Sequence, residues 1–376
     1  MKKPTSLAPA VRLAALSAPA LAFGLLLLGI EVVVRQTRPH LSSLEVLVRS
    51  PRQQADFTDR RGVGIFEGDP LLFWRLKPGL RRVIWDYTLV STNLQGLRSQ
   101  RPVGPKRPGS LRIVCLGDSV TFGYRVPVVF AERPDEYDPD WLPYPELIEK
   151  RLRQANPGRE IETVALAVPD YSSYQGRAWL ARDIERLAPD IVTANFGWND
   201  VGLRSVPDSW LMRTAWGRMW MRRLLARSQA LIRASLWLEA RGDPRAGQDR
   251  GRPRVSRDEF VDNHLEIARL AREHRARALI VGPVYRDDST FPEEAVRLGA
   301  HRRALREAMI DAGIPYLQIE LLTEAGSPAN HELFGELIHP NHRGHRLMAS
   351  AVLEALASHG MLEGLVIGSS GDTIRN

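Results

Sequence analysis

Cysteine is almost absent from this 376-residue chain, with Cys115 the only one. A single thiol cannot build a disulfide framework or a cysteine-based metal site, and a lone buried cysteine does not report the redox compartment. Lysine is nearly as scarce: Lys2, Lys3, Lys77, Lys106 and Lys150 are all there are, so the net charge of +8 and the pI near 9.9 come from arginine. Such a balance suits nucleic acid, anionic lipid or acidic glycan, but no nucleic-acid-binding motif accompanies it. We therefore read the positive charge as spread over solvated faces and expect no nucleic-acid partner. Internal repeats are also missing, which excludes a solenoid or propeller. With 44% hydrophobic residues the chain can fill a sizeable core and is not a disordered polymer.

One long apolar run is present. Leu13 to Ile30 carries no charge and is rich in Leu and Ala, which meets the lower limit for a bilayer-spanning helix. The run ends in Gly29-Ile30-Glu31-Val32 rather than in the small residues of a cleavage site, so an uncleaved transmembrane anchor is expected. Lys2, Lys3 and Arg12 favour a cytoplasmic amino end, although Arg35, Arg38 and Arg49 nearly balance them. The expectation is a single-pass membrane protein with its main domain outside the cytoplasm.

The rest divides by pattern. Residues 1–36 form the tail and anchor, and 37–105 a polar, Arg-rich linker with a small β-rich lead-in around Asp69 to Gly79 and Val83 to Val90. From Leu111 onward apolar strands alternate with helices. The strand candidates are Leu111 to Leu116, Ile161 to Leu166, Ile191 to Phe196, Ala278 to Val284 and Tyr316 to Ile319. Helical spacing marks Tyr144 to Gln154, Gly176 to Leu187, Arg257 to His274, Glu293 to Ala312 and Arg343 to Ser358. Alternation of this kind predicts an α/β chain with a parallel five-stranded sheet between two helical layers, a three-layer α/β/α sandwich, over residues 106–362. A Trp-, Leu- and Arg-rich stretch at about 201–254 interrupts the rhythm. It reads either as a packed helical pair or as a segment lying over a cleft or a membrane interface, with Gly242 to Arg254 as its return loop. Residues 363–376 form a tail.

Three short blocks sit at the ends of these strands. Gly117-Asp118-Ser119 follows the first strand, Gly197-Trp198-Asn199-Asp200 the third, and Glu336-Leu337-Ile338-His339-Pro340-Asn341 precedes the last helix. Ligands of open α/β sheets bind at that edge. Ester hydrolysis through a serine needs a hydroxyl, a base, a group orienting the base and donors for the oxyanion. Ser119 offers the hydroxyl and its own N–H, His339 the base, Glu336 the orienting carboxylate and Asn199 a neutral amide donor. Asp118 reads as a hydrogen-bond acceptor within the turn, and His342 and His345 as surface or packing residues. The string His331-Glu332-Leu333-Phe334-Gly335 lacks the second histidine of a zinc-protease helix, so no metal is expected.

In this order the blocks resemble the SGNH hydrolases, the GDSL-type esterases and lipases, over roughly Leu111 to Gly360. The resemblance implies a flavodoxin-like sheet, a serine nucleophile at Ser119, a base at His339, oxyanion donors at Ser119 and Asn199, and no cofactor. Two positions depart from the pattern: Glu336 stands where aspartate is usual, and Asp170 where a glycine usually donates its N–H. An aspartate keeps the N–H but adds a Cβ and a carboxylate, leaving either a slow site or a side chain turned away toward an arginine or a substrate hydroxyl. The implied function is hydrolysis of O-acyl esters of a glycan or lipid. O-acyl transfer to a sugar hydroxyl and a catalytically impaired glycan- or lipid-binding domain are the alternatives.

Overall fold

The structure, a computed structural model, describes residues 9–37 (side chains from residue 22), 64–69, 71–204, 207–210, 228–231, 233–234, 251–284, 292–319, 332–336 and 338–368. In chain order the elements are α1 (Pro9–Thr37), β1 (Phe66–Asp69), β2 (Phe73–Leu76), β3 (Val83–Trp85), β4 (Thr88–Val90), β5 (Leu111–Gly117) and α2 (Ser119–Phe122). There follow α3 (Tyr144–Ala155), β6 (Ile161–Ala167), α4 (Ser173–Leu187), β7 (Ile191–Asn195), α5 (Trp198–Val201), β8 (Leu203–Arg204) and β9 (Arg252–Pro253). The chain continues through α6 (Arg257–Glu273), β10 (Arg277–Val281), α7 (Pro292–Asp311), β11 (Tyr316–Leu317) and α8 (His342–Ser358).

The five strands β11, β10, β7, β5 and β6 lie side by side in that order, with every pairing parallel. The first strand of the series, β5, is therefore flanked by the second and third, and the direction of winding reverses between β5 and β7. Such a reversal opens a crevice at the carboxyl ends of the strands. Side chains alternate across the sheet as a period of two requires. Ile113 and Cys115 of β5 enter a core shared with α3 and α8, whereas Val114 and Leu116 enter one shared with α4, α6 and α7. Two apolar layers thus grip one buried sheet, which gives the expected three-layer sandwich.

The lead-in packs on the second of these cores through Phe66, Leu72, Trp74, Leu76 and Trp85. Val83 to Val90 forms a tight hairpin, because Asp86 and Tyr87 both take positive φ (42° and 60°), the backbone of a two-residue turn. The ladder of the fourth sheet strand stops at Val281, two residues before Pro283, which has no N–H to donate. At the insertion the chain leaves and returns side by side, with β8 and β9 pairing antiparallel. Its Trp- and Leu-rich middle, with most of the expected return loop, lies outside the described residues.

The expected anchor Leu13 to Ile30 falls on α1, part of it on residues 13–21, whose side chains are not described. Among the described residues no helix is long and apolar enough to cross a membrane. Near its far end, α1 touches the insertion: the Glu31 carboxylate accepts from Ser228 Oγ (2.7 Å) and from the backbone N–H of Gln229 and Ala230 (both 2.9 Å).

Cys115 is wholly buried in the middle of the sheet, and desolvation pushes its thiol up to about 12. A thiol reagent at pH 8 should therefore label the protein only as fast as the sheet opens, with the rate rising steeply in urea. Rapid stoichiometric labelling of the native protein would contradict this packing.

Candidate active site

The apolar strand β5 delivers Ser119 to the sheet edge. It stops at Gly117, where a Cβ would lie 1.9 Å from Thr121 Oγ1 and 3.0 Å from the Asn195 carbonyl, so only glycine lets the next turn fold back this closely. Asp118 then caps α2, its Oδ1 accepting from the Val120 N–H at 2.9 Å. That role matches the expected turn acceptor. Burial pushes the Asp118 carboxyl up to about 7, against the stabilising bond from Val120. Ser119, the first residue of α2, is 9% exposed.

His339 arrives from the opposite end of the chain on a loop closed by its own backbone. The Gly335 N–H donates to the His339 carbonyl (3.0 Å) and the Asn341 N–H to the Leu333 carbonyl (2.9 Å), which leaves Glu336 and His339 on one tip. Asn341 caps α8 by accepting from the N–H groups of Arg343 (2.9 Å) and Gly344 (3.2 Å). Gly344 is needed because a Cβ there would sit 2.3 Å from the Leu333 carbonyl. The outcome is a continuous line of groups: Ser119 Oγ lies 2.8 Å from His339 Nε2, and His339 Nδ1 hydrogen-bonds the Glu336 carboxylate. That bond, foremost, holds the Glu336 carboxyl below the usual carboxylate range, and Arg125 adds to the effect. The longer glutamate side chain therefore reaches the imidazole from the position where aspartate is usual.

Asn199, on α5 after β7, donates its side-chain amide to the Tyr171 carbonyl (3.0 Å) and to Asp118 Oδ2 (3.3 Å). It is thereby tied to both neighbouring strand ends, that of β5 through Asp118 and that of β6 through Tyr171. Asp170 takes φ = +66°, the left-handed region that a Cβ penalises. Its carboxylate is turned onto arginines: Arg254 Nη1 donates to Oδ1 (2.8 Å) and Arg204 Nη2 to Oδ2 (3.1 Å). Of the two arrangements open from the sequence, the side chain adopts the one bound to arginine.

Further residues complete the surroundings without any signal in the blocks. The Tyr124 ring lies 4.3 Å, centroid to centroid, from the His339 ring, and its hydroxyl donates to Asp86 in the turn of the lead-in hairpin. Arg125 places Nη1 3.5 Å from Glu336 Oε2 and Nη2 3.1 Å from Asp86 Oδ1, with its guanidinium over the Tyr124 and Tyr87 rings. Their nearness to Ser119 in sequence is the only clue, and nothing in the chain pairs them with position 336. His345 is buried, and its Nδ1 accepts the Tyr144 N–H at 3.1 Å, whereas His342 stacks on Trp141 at 4.0 Å. Both are packing residues. Among the described residues no cluster of histidine, cysteine and carboxylates is placed to hold a metal ion, and His331 lies outside them.

This arrangement carries the parts for acyl transfer: a hydroxyl against an imidazole, an imidazole against a carboxylate, and an amide beside them. Several solved structures are similar to this chain at low identity. An α/β-hydrolase enzyme from the metagenome of Lake Arreo, Spain, is 17% identical, with 66% of this chain and 95% of that one covered and a TM-score of 0.43. A lipase/acylhydrolase from Enterococcus faecalis is 15% identical (69% and 100% covered, TM-score 0.43). An acetylxylan esterase from Geobacillus stearothermophilus is 14% identical (67% and 96% covered, TM-score 0.42). No curated protein sequence matches significantly. The sequence model of the GDSL-like Lipase/Acylhydrolase family, however, matches residues 115–347, well over half the chain and all three blocks. The chain therefore belongs to the GDSL-like lipase/acylhydrolase family of ester-hydrolysing enzymes.

Proposed function

We propose that the protein is a membrane-attached serine esterase that removes O-acyl groups from a glycan or lipid through an acyl-enzyme. The observation that carries this reading is the single line from Ser119 Oγ through His339 to Glu336. Ser119 Oγ attacks the ester carbonyl carbon while His339 Nε2 takes its proton. Negative charge gathers on the carbonyl oxygen, facing the Ser119 and Asp170 N–H groups and the Asn199 amide, one hydrogen of which leaves its 3.3 Å contact with Asp118 for it. The carbon–alkoxy bond then breaks, and the imidazolium returns the proton to the departing alcohol. Water repeats the sequence on the acyl-serine: His339 takes a water proton, the hydroxide adds to the carbonyl, and Ser119 leaves with that proton as the acid is released. Glu336 fixes the imidazole tautomer and stabilises its charged form throughout.

Membrane attachment is supported by α1, whose Phe23, Leu25, Leu26, Leu28 and Val33 stand 57–63% exposed among the described residues. Isolated apolar side chains are ordinary on a surface, but a helix apolar on all its faces seeks lipid. An anchor of this kind, with the catalytic domain outside the cytoplasm, keeps the site close to the acylated glycans and lipids of a cell surface.

Variants of the site, the pH profile and removal of the helix test the reading. Ser119→Ala should cut release of p-nitrophenol from p-nitrophenyl acetate on the order of 10⁴-fold or more with the melting temperature preserved, and an undiminished rate would refute the nucleophile. If added sugar acceptors instead take up the acyl group faster than water does, the enzyme is an acyltransferase. Glu336→Gln should cost on the order of 10⁴-fold in kcat, as loss of the orienting charge does in comparable triads. In the wild type, the bond from His339 keeps Glu336 ionised below the usual carboxylate range. The acid limb of kcat/KM should then fall with a slope of one, and a slope of two would contradict the depressed Glu336 carboxyl. Deleting residues 1–36 should move the protein from the membrane to the soluble fraction, whereas unchanged membrane recovery would place the attachment elsewhere.

A further inference from the structure

Asp170 stands in a backbone conformation that its side chain opposes, yet all three of its acceptors are occupied. Arg254 Nη1 donates both to its main-chain carbonyl and to Oδ1 (2.8 Å each), and Arg204 takes Oδ2. Arg254 is itself rigidly placed. Only 3% exposed, it donates from Nη2 to Asp208 Oδ2 (3.0 Å) and to Gln175 Oε1 (3.1 Å). Its backbone N–H reaches the Gly202 carbonyl at 2.9 Å, and its carbonyl accepts from the Asp208 N–H at 2.8 Å. Asp208 accepts from Ser172 Oγ at 2.7 Å, two residues beyond Asp170. The adjoining Tyr171 carbonyl accepts the Asn199 amide, so the turn abuts the site directly.

We propose that Arg254, supported by Arg204, is a positioning residue that holds Asp170 in the left-handed turn aiming its N–H at the acyl oxygen. A glycine adopts that turn unaided, whereas a residue with a Cβ is penalised there, an aspartate less than most, and gains from being held. The same guanidinium neutralises a carboxylate that would otherwise oppose the charge developing on the oxyanion. Arg204 and Arg254 lie at the two ends of the insertion, so the insertion's docking sets the oxyanion site. The proposal rests on the esterase reading of Ser119 and His339.

The test uses the full chain in detergent, with p-nitrophenyl acetate turnover and thermal melting measured together. Arg254→Met should lower kcat about 10- to 100-fold, within the range of a weakened oxyanion donor, and leave KM within about twofold. The double variant Asp170→Gly with Arg254→Met should recover most of that loss, because glycine needs no clamp. A folded double variant as slow as Arg254→Met overturns the proposal. Should Arg254→Met fail to fold, the comparison of Asp170→Ala with Asp170→Gly decides. Alanine loses the clamped carboxylate and resists the turn, so it should be slower by about tenfold, and equal rates overturn the proposal. Ser119→Ala runs in parallel: if it keeps the wild-type rate, the esterase reading itself falls and takes the clamp's role with it, whereas an inactive Ser119→Ala leaves the arginine variants to judge the clamp alone.

Discussion

The hydrogen bond between Ser119 Oγ and His339 Nε2 joins residues 220 positions apart, and most of the architecture exists to let it form. A bond of that kind requires both side chains at one edge of one rigid platform. The parallel sheet supplies that edge, because parallel pairing points every carboxyl end the same way. The strand order then places β5 between β6 and β7, so the loops bearing Ser119, Asp170 and Asn199 converge from three adjacent strands. His339 comes from beyond the far edge strand, on a loop whose own backbone bonds fix its tip before α8 begins. Two buried core layers keep the sheet from flexing under this arrangement.

Around that centre, charge is sorted by burial and by partner. Asp118 and Asp200 sit deep within the protein, and desolvation pushes each carboxyl up to about 7. Glu336 is more exposed and bonded to an imidazole, so its carboxyl moves the other way. Of these three, the carboxylate that must remain charged during the reaction is the one held below the usual range. Arg125 joins Glu336 to Asp86, and Tyr124 lies against the imidazole while bonding the same aspartate. The lead-in hairpin is thereby part of the wall of the site, although it lies outside the sheet.

Much of the fold was legible because the signals are local. Apolar runs of strand length and helical spacing both act over a few residues, so all five sheet strands and the five long helices of the sandwich lie within a few residues of their expected limits. Ser119, Asn199, Glu336 and His339 were legible for a different reason: each sits in a short block at a strand or helix boundary, where the chemistry of the turn restricts the choice of residue. The exact turn of the hairpin at Val83 to Val90 was less legible, because two consecutive residues with positive φ are not announced by Asp86-Tyr87 as they would be by Asn-Gly.

The sequence by itself determined the α/β alternation, the position of the nucleophile at a strand end and the spacing of Glu336 to His339, since those follow from neighbours within one turn or one strand. Only the tertiary structure decided that the Asp170 carboxylate faces Arg254 and Arg204, that Arg125 stands beside Glu336 and that Tyr124 covers the imidazole. Each of those contacts joins segments whose approach depends on strand order and on the packing of whole layers. An arginine carries the same charge wherever it stands, and its partner is settled by which backbone happens to pass within reach.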